Sequence, residues 1–179
     1  ITFLCNRVRE PNEEDWNKLQ RLMKYLNSTQ NDVLTLSADG SNVIKWHVDA
    51  AFAVHPDFKS HTGAVATMGK GAIKAISKKQ KINTRSSTEA ELVATDNIIG
   101  HVLWTRLFLE AQGYTVKDNV IFQDNQSAIL LERNGKASSG KRTRHFNIKY
   151  FYVTDLIERK ELEIRYCSTK DMVADFMTK

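Results

Sequence analysis

Four acids in this chain stand where their chemistry could matter: Asp49, Glu91, Asp124 and Asp175. Asp49 interrupts an apolar stretch, and Asp124 directly follows Val120, Ile121, Phe122 and Gln123. The carboxyl end of a strand is where open α/β sheets place ligand chemistry. Carboxylates brought together from separate elements repel one another unless a cation joins them. Hard ions such as Mg²⁺ take carboxylate oxygen in preference to Cys or His. Two such ions ~3.5–4 Å apart can prepare an attacking water and stabilise a leaving oxygen, which is the chemistry of phosphodiester cleavage.

Each acid also has a plainer explanation. Asp124-Asn125 suits a helix N-cap. Thr88-Glu89-Ala90-Glu91 matches a capping box, with Thr88 as the cap and Glu91 reaching back, and Glu89 competes with Glu91 for any catalytic part. Asp175 follows Asp171 by one turn on the same side of an expected last helix, where an acid is ordinarily solvated. The metal reading rests on the set, not on any one member.

The elements that must carry these residues read as an α/β domain with a mixed sheet. Pro11-Asn12 followed by Glu13, Glu14 and Asp15 predicts a helix start. Trp16, Leu19, Met23 and Leu26 then form one apolar stripe to about Asn27, which must pack on the main domain or on a missing neighbour. Val33 to Leu36 could be a strand, and residues 38–42 a turn. Val43 to Val54 predicts a long strand, with Ile44, Trp46, Val48 and Ala50 on one face and His47 and Asp49 on the other. Gly63–Met68 and Ala72–Ser77 are expected as strands joined by a hairpin at Gly69-Lys70-Gly71. A long helix from Ser87 to about Gln112 follows, then a strand Val120–Gln123 and a helix to about Arg133. A loop, a helix from about His145 to Arg159, a strand Glu161–Cys167 and a short helix from about Thr169 complete the reading.

The composition is that of a folded protein: 179 residues, 41% hydrophobic, 9% aromatic and 26% charged. No apolar run approaches the ~18 residues of a membrane span, so no membrane role is expected. Cys5 and Cys167 stand far apart without neighbouring ligands, which argues against zinc or a disulfide framework and favours a reducing compartment. Ile1 in place of an initiator Met predicts a piece of something longer.

The net charge is +5, and its distribution is uneven. Between Asp57 and Glu89 there is no acid, while Lys59, Lys70, Lys74, Lys78, Lys79, Lys81 and Arg85 accumulate. Between Glu132 and Asp155 the same holds for Arg133, Lys136, Lys141, Arg142, Arg144 and Lys149. Together these stretches hold 13 of the 26 Lys and Arg residues, which favours a polyanionic partner.

The ordered strings identify a resemblance. Val48-Asp49-Ala50-Ala51-Phe52-Ala53, His61-Thr62-Gly63, Ser77-Lys78-Lys79-Gln80-Lys81 and Arg85-Ser86-Ser87-Thr88-Glu89-Ala90-Glu91 are followed by Gln123-Asp124-Asn125-Gln126-Ser127-Ala128-Ile129. Then come residues 141–150 (Lys141 to Tyr150) and Val173-Ala174-Asp175-Phe176-Met177-Thr178-Lys179. In this order and spacing they resemble the RNase H domain of Ty1/copia-type retrotransposon polyproteins, over residues 43–179. Residues 1–42 carry a segment, 1–30, that resembles the end of the reverse transcriptase thumb preceding that domain.

The resemblance implies an RNase H-like fold: a mixed five-stranded sheet with helices on both faces. It implies hydrolysis of the RNA strand of RNA–DNA hybrids during reverse transcription, with two Mg²⁺ ions and Mn²⁺ as a substitute. It matches the family's four acids to Asp49, Glu91, Asp124 and Asp175, which chooses Glu91 over Glu89. Hybrid contacts are expected from Arg85, Ser86, Ser87, Asn125, Gln126, Arg144 and His145, with short polar groups reading the 2′-hydroxyl in the minor groove. The implied partner is the polymerase domain of the same polyprotein, and the implied setting is intracellular and cytoplasmic, in a virus-like particle. The chain departs from cellular RNases H in one respect. Their His before the last helix is absent from Cys167-Ser168-Thr169-Lys170, and His145 is the one histidine considered for substrate contact. The rival expectations are a hybrid-binding scaffold without cleavage and another nuclease of the same fold that cuts duplex DNA.

Overall fold

A computed structural model of the chain describes residues 1–135 and 149–179, with side chains given for 1–135 and 152–179. It divides into two compact units, Ile1–Thr35 and Leu36–Lys179. The division falls ahead of the boundary expected at residue 42, because the short strand β1 (Ser37–Ala38) pairs with β4 (Gly69–Lys70) in the second unit.

The first unit holds α1 (Thr2–Cys5) and α2 (Glu13–Ser28). Asn12 caps α2: its side chain accepts from Asp15 N–H at 2.9 Å, and Asp15 Oδ2 accepts from Asn12 N–H at 3.0 Å. This reciprocal box satisfies two donors that the first turn leaves open. Trp16, Leu19, Met23 and Leu26, the stripe read from the sequence, remain solvent-exposed.

The second unit is built on a five-stranded sheet in the order β5-β3-β2-β6-β7. Strand β3 (His61–Thr67) runs antiparallel to both β2 (Val43–Ala51) and β5 (Lys74–Lys79). Strands β6 (Asp118–Gln123) and β7 (Glu163–Tyr166) are added in parallel, β6 beside β2 and β7 beside β6. Parallel pairs need crossovers, and α3 (Ser87–Ala111), α4 (Gln126–Asn134) and α5 (Lys149–Glu158) lie in the connecting stretches. A 3₁₀ turn (Thr169–Asp171) and the one-turn helix α6 (Asp175–Thr178) follow β7. Among the described residues, no helix is long and apolar enough to cross a membrane.

Strand alternation assigns the two faces. Ile44, Trp46 and Val48 of β2 and Ala64 and Ala66 of β3 are fully buried and cluster with Ala94, Ile98 and Val102 of α3. These α3 positions recur at i, i+4 and i+8, so the helix presents one stripe to the sheet. The other face meets α6: a Cβ on Gly63 would lie 2.6 Å from Thr178 Cγ2 and 2.8 Å from Ala174 O. Helices therefore cover both faces, and Asp49, one position on from Val48, points toward the α6 side. Burying Ile44, Val48, Ile98, Ile121 and Ile164 completely contributes roughly 1.5–3 kcal/mol each, which offsets the acids buried nearby.

Several boundaries differ from expectation. The stretch Val33–Leu36 is not a strand; Val33, Leu34 and Leu36 are exposed and the ladder begins at Ser37. Strand β2 stops at Ala51 rather than Val54, because Ala53 takes a positive φ of 52° and its N–H turns to Ser60 Oγ. The expected hairpin at Gly69-Lys70-Gly71 instead contributes β4, and Gly69 is required there because a Cβ would collide with the Ser37 carbonyl. The last helix is broken, so Asp171 and Asp175 sit on separate elements and not one turn apart on a shared face. The expected helix start at His145 lies outside the described residues.

Candidate metal centre

Asp49, Glu91 and Asp124 converge, each offering a carboxylate oxygen within 4.8 Å of the others. They arrive from three elements whose sequences place them there. Asp49 is on β2, the central strand, and is paired with Gly63 of β3. Asp124 lies one residue beyond β6, the parallel neighbour of β2. Glu91 is on the second turn of α3, and its Oε1 accepts a hydrogen bond from Ala50 N–H at 3.2 Å, tying helix to strand beside Asp49.

The local capping differs from the sequence reading in a way that releases both disputed acids. Ser86, not Thr88, is the N-cap of α3, accepting from Glu89 N–H at 3.1 Å. Glu89, not Glu91, reaches back, accepting from Arg85 N–H at 2.6 Å. At α4 the cap is Asn125, which accepts from Ala128 N–H at 3.1 Å, so Asp124 is not spent on capping.

Burial and crowding dominate the electrostatics. Burial, with the charges of Asp49 and Asp124 added to it, pushes the Glu91 carboxyl up to about 9. Asp49 is raised first by burial, against which the Thr178 hydroxyl pulls down, while the charges of Asp175 and Asp124 raise it further. Glu91 Oε2 is buried without a hydrogen-bond partner. A buried oxygen lacking a donor, beside two more carboxylates, is the environment a divalent cation would relieve. The donors are all oxygen, which suits a hard ion.

Asp175 stands at the margin of this cluster. Its charge acts on Asp49, yet its carboxylate is paired with Lys179 rather than being one of the three convergent groups. Arg85, Ser86 and Ser87 are exposed at the start of α3, and Asn125 and Gln126 lie at the start of α4 beside Asp124. Arg144 and His145 lie outside the described residues. Among the described histidines, His47 stacks on Phe122 with ring centroids 5.1 Å apart. His61 bridges His55 at 3.0 Å and Ser77 Oγ at 2.8 Å.

Sequence reasoning missed three residues around the site. Thr178 Oγ1 donates to Asp49 Oδ2 at 2.6 Å, and Thr169 Oγ1 donates to Asp124 Oδ2 at 2.8 Å. Glu132 is fully buried and its charge acts on Glu91; burial pushes its own carboxyl to about 8 against the opposing hydrogen bonds of Thr95 and Gln123. The signal for Glu132 was available: with Ala128 and Ile129 it falls on the inward stripe of α4.

Comparison with known proteins agrees with this geometry at the level of fold and kinship. No family model matches the chain. The Pol polyprotein from transposon TNT 1-94 of Nicotiana tabacum is 32% identical over 173 residues, 96% of this chain and 13% of that protein. The Pol polyprotein from transposon RE1 of Arabidopsis thaliana is 31% identical over 185 residues, 100% of this chain and 12% of that protein. The chain thus spans about an eighth of the length of the curated relatives it matches. Among solved structures, LC11-RNase H1 isolated from compost superposes with a TM-score of 0.55 at 16% identity, covering 76% of this chain and 92% of that one. The same enzyme in complex with RNA/DNA hybrid gives a TM-score of 0.53 at 13% identity, covering 75% and 92%. These likenesses establish the RNase H-like fold.

Proposed function

We propose, for a chain related along its whole length to the Pol polyproteins of plant transposons and folded as an RNase H, that it is a metal-dependent ribonuclease cutting the RNA strand of RNA–DNA hybrids during reverse transcription. One observation carries the reading: three carboxylates from a central strand, a helix and a neighbouring strand end meet within 4.8 Å. Nothing in the packing requires three acids there, and their mutual repulsion opposes it.

When bound, two Mg²⁺ ions, or Mn²⁺ in their place, would supply an activated water and stabilisation of the leaving 3′ oxygen. Asp49, Glu91 and Asp124 would hold the metal, and Asp175 would serve as a fourth carboxylate ligand beside them. Ser86, Ser87, Asn125 and Gln126 would contact the minor groove, where the 2′-hydroxyl marks RNA. Arg85, the exposed lysines around it, Arg144 and His145 would hold phosphates and make binding salt-dependent. The polymerase domain of the same polyprotein is the partner that presents the hybrid, and the exposed stripe of α2 suits contact with it.

Incubation of the purified chain with a labelled hybrid and Mg²⁺ tests this directly. Cleavage confined to the RNA strand is expected, and Asp124→Asn should abolish it while hybrid binding persists. No product, or cutting of duplex DNA instead, would overturn the assignment.

A further inference from the structure

Two carboxylates of the cluster are each held by a threonine that belongs to neither their own strand nor their own helix. Thr178 of α6 reaches Asp49 at 2.6 Å, and Thr169 of the 3₁₀ turn reaches Asp124 at 2.8 Å. Thr178 Oγ1 also lies 3.1 Å from the Asp175 carbonyl, but a hydroxyl has one proton, and the shorter contact to a charged acceptor takes it. Both oxygens of a carboxylate turn together about one bond, so fixing one oxygen fixes the direction of the other.

The surrounding structure is arranged to bring these hydroxyls in. Asp49 pairs across the ladder with Gly63, and α6 lies directly against Gly63. The missing side chain there admits Thr178 Cγ2, Ala174 O and Met177 Cβ, all of which a Cβ would crowd within 3 Å. On the other strand, Cys167 N–H donates to Gln123 O at 2.9 Å, carrying the chain past Asp124. Ser168 then caps the 3₁₀ turn that presents Thr169, accepting from Lys170 N–H at 3.3 Å.

We propose that Thr178 and Thr169 are positioning residues of the metal centre: paired hydroxyl donors that keep Asp49 and Asp124 aimed at a common point before any cation arrives. The proposal rests on the metal-centre reading above. It assigns a purpose to the segment from Ser168 to Thr178 beyond carrying Asp175. Without the two donors, each aspartate would be free to rotate away from its neighbours, and the repulsion within the cluster favours that rotation. Thr178 has the larger part, because Asp49 is the more deeply buried aspartate and has fewer ways of being solvated.

The test uses the full chain with Thr178→Val, which keeps the shape and removes the hydroxyl, together with Thr178→Ser, Thr169→Val and the double Val variant. Mn²⁺ binding is measured by titration calorimetry without nucleic acid, folding by thermal unfolding without metal, and cleavage of a hybrid across a range of Mn²⁺. Thr178→Val is expected to weaken Mn²⁺ binding by about 10–100-fold, the usual effect of removing a group that orients a ligand. Thr178→Ser should restore most of that loss, Thr169→Val should produce a smaller one, and the double variant should exceed either. Lost cleavage should return as Mn²⁺ is raised, with the KM for hybrid unchanged. Wild-type Mn²⁺ affinity in folded Thr178→Val and Thr169→Val would overturn the proposal and leave the metal centre intact. So would a Thr178→Ser defect as large as that of Thr178→Val, since the methyl group would then be what matters. A wild-type chain that takes up no Mn²⁺ would remove the metal centre itself, and this proposal with it.

Discussion

The side chain of Glu91 is bonded to the backbone of Ala50: Ala50 N–H donates to Glu91 Oε1 at 3.2 Å. That single bond joins the second turn of α3 to the central strand and sets Glu91 against Asp49. Glu89, two residues earlier, is committed to Arg85 N–H at 2.6 Å and cannot take that place.

The two glutamates should therefore separate on substitution. Glu91→Gln is expected to eliminate cleavage of a labelled hybrid and to weaken Mn²⁺ uptake. Glu89→Gln should leave both in place and lower stability by about 1 kcal/mol through the helix start. Loss of cleavage in Glu89→Gln alone would show that the helix acid has been misplaced.

Divalent cations should stabilise the fold itself. An ion that binds only the native cluster adds about 2.7 kcal/mol at a hundredfold excess over its dissociation constant. The unfolding temperature of the wild type should rise with Mn²⁺ and fall back with chelator. Asp49→Asn should lose most of that rise, and an equal rise in both proteins would place the ion elsewhere.

Glu132 gives a pH signature independent of the cluster's activity. Its carboxyl is raised on folding from 4.5 to about 8 by burial. Below the lower value it is neutral in both states and has no effect. Between the two values only the unfolded chain gains by ionising, so native stability falls as pH rises through that window. Glu132→Gln removes this loss. It should melt higher than wild type near about pH 8, with the difference shrinking near about pH 5. An equal difference at both pH values would mean that Glu132 is ionised in the native protein.

Gly63→Ala should damage the site without touching a carboxylate. The added Cβ would lie 2.8 Å from the Ala174 carbonyl, a backbone atom with little room to give. Overpacking of this kind costs about 1–3 kcal/mol. Faster amide exchange in α6 and weaker Mn²⁺ binding are expected together. Unchanged exchange in α6 would show that the helix accommodates the methyl group.

The strands and helices that carry the cluster could be read because burial enforces their periodicity. Ile44, Trp46 and Val48 alternate along β2, and Asp49 stands out against them as a buried acid. The order of strand, helix, strand that brings Asp49, Glu91 and Asp124 together followed from the same patterns. What could not be read was contact between distant side chains. Ser86-Ser87-Thr88-Glu89 fits the local capping pattern as well as Thr88 to Glu91 does, and in the fold Ser86 is the cap while Glu91 is turned to Ala50. The break between Asp171 and Asp175 accompanies the seating of α6 against Gly63, a contact between distant elements. Thr178 and Thr169 looked like ordinary polar residues because a hydroxyl declares its acceptor only in three dimensions.

Asp49 and Thr178 lie 129 residues apart in the chain, and the bond between them closes the site. Between them run two parallel strand pairings, each requiring a long loop to close before it returns any contact. Such topologies fold slowly. A chain clipped or stalled before α6 seats would hold its acids without the hydroxyl that aims the central one. Cation affinity would then report on the completeness of the fold, because the bond that aims the central acid comes from the far end of the chain.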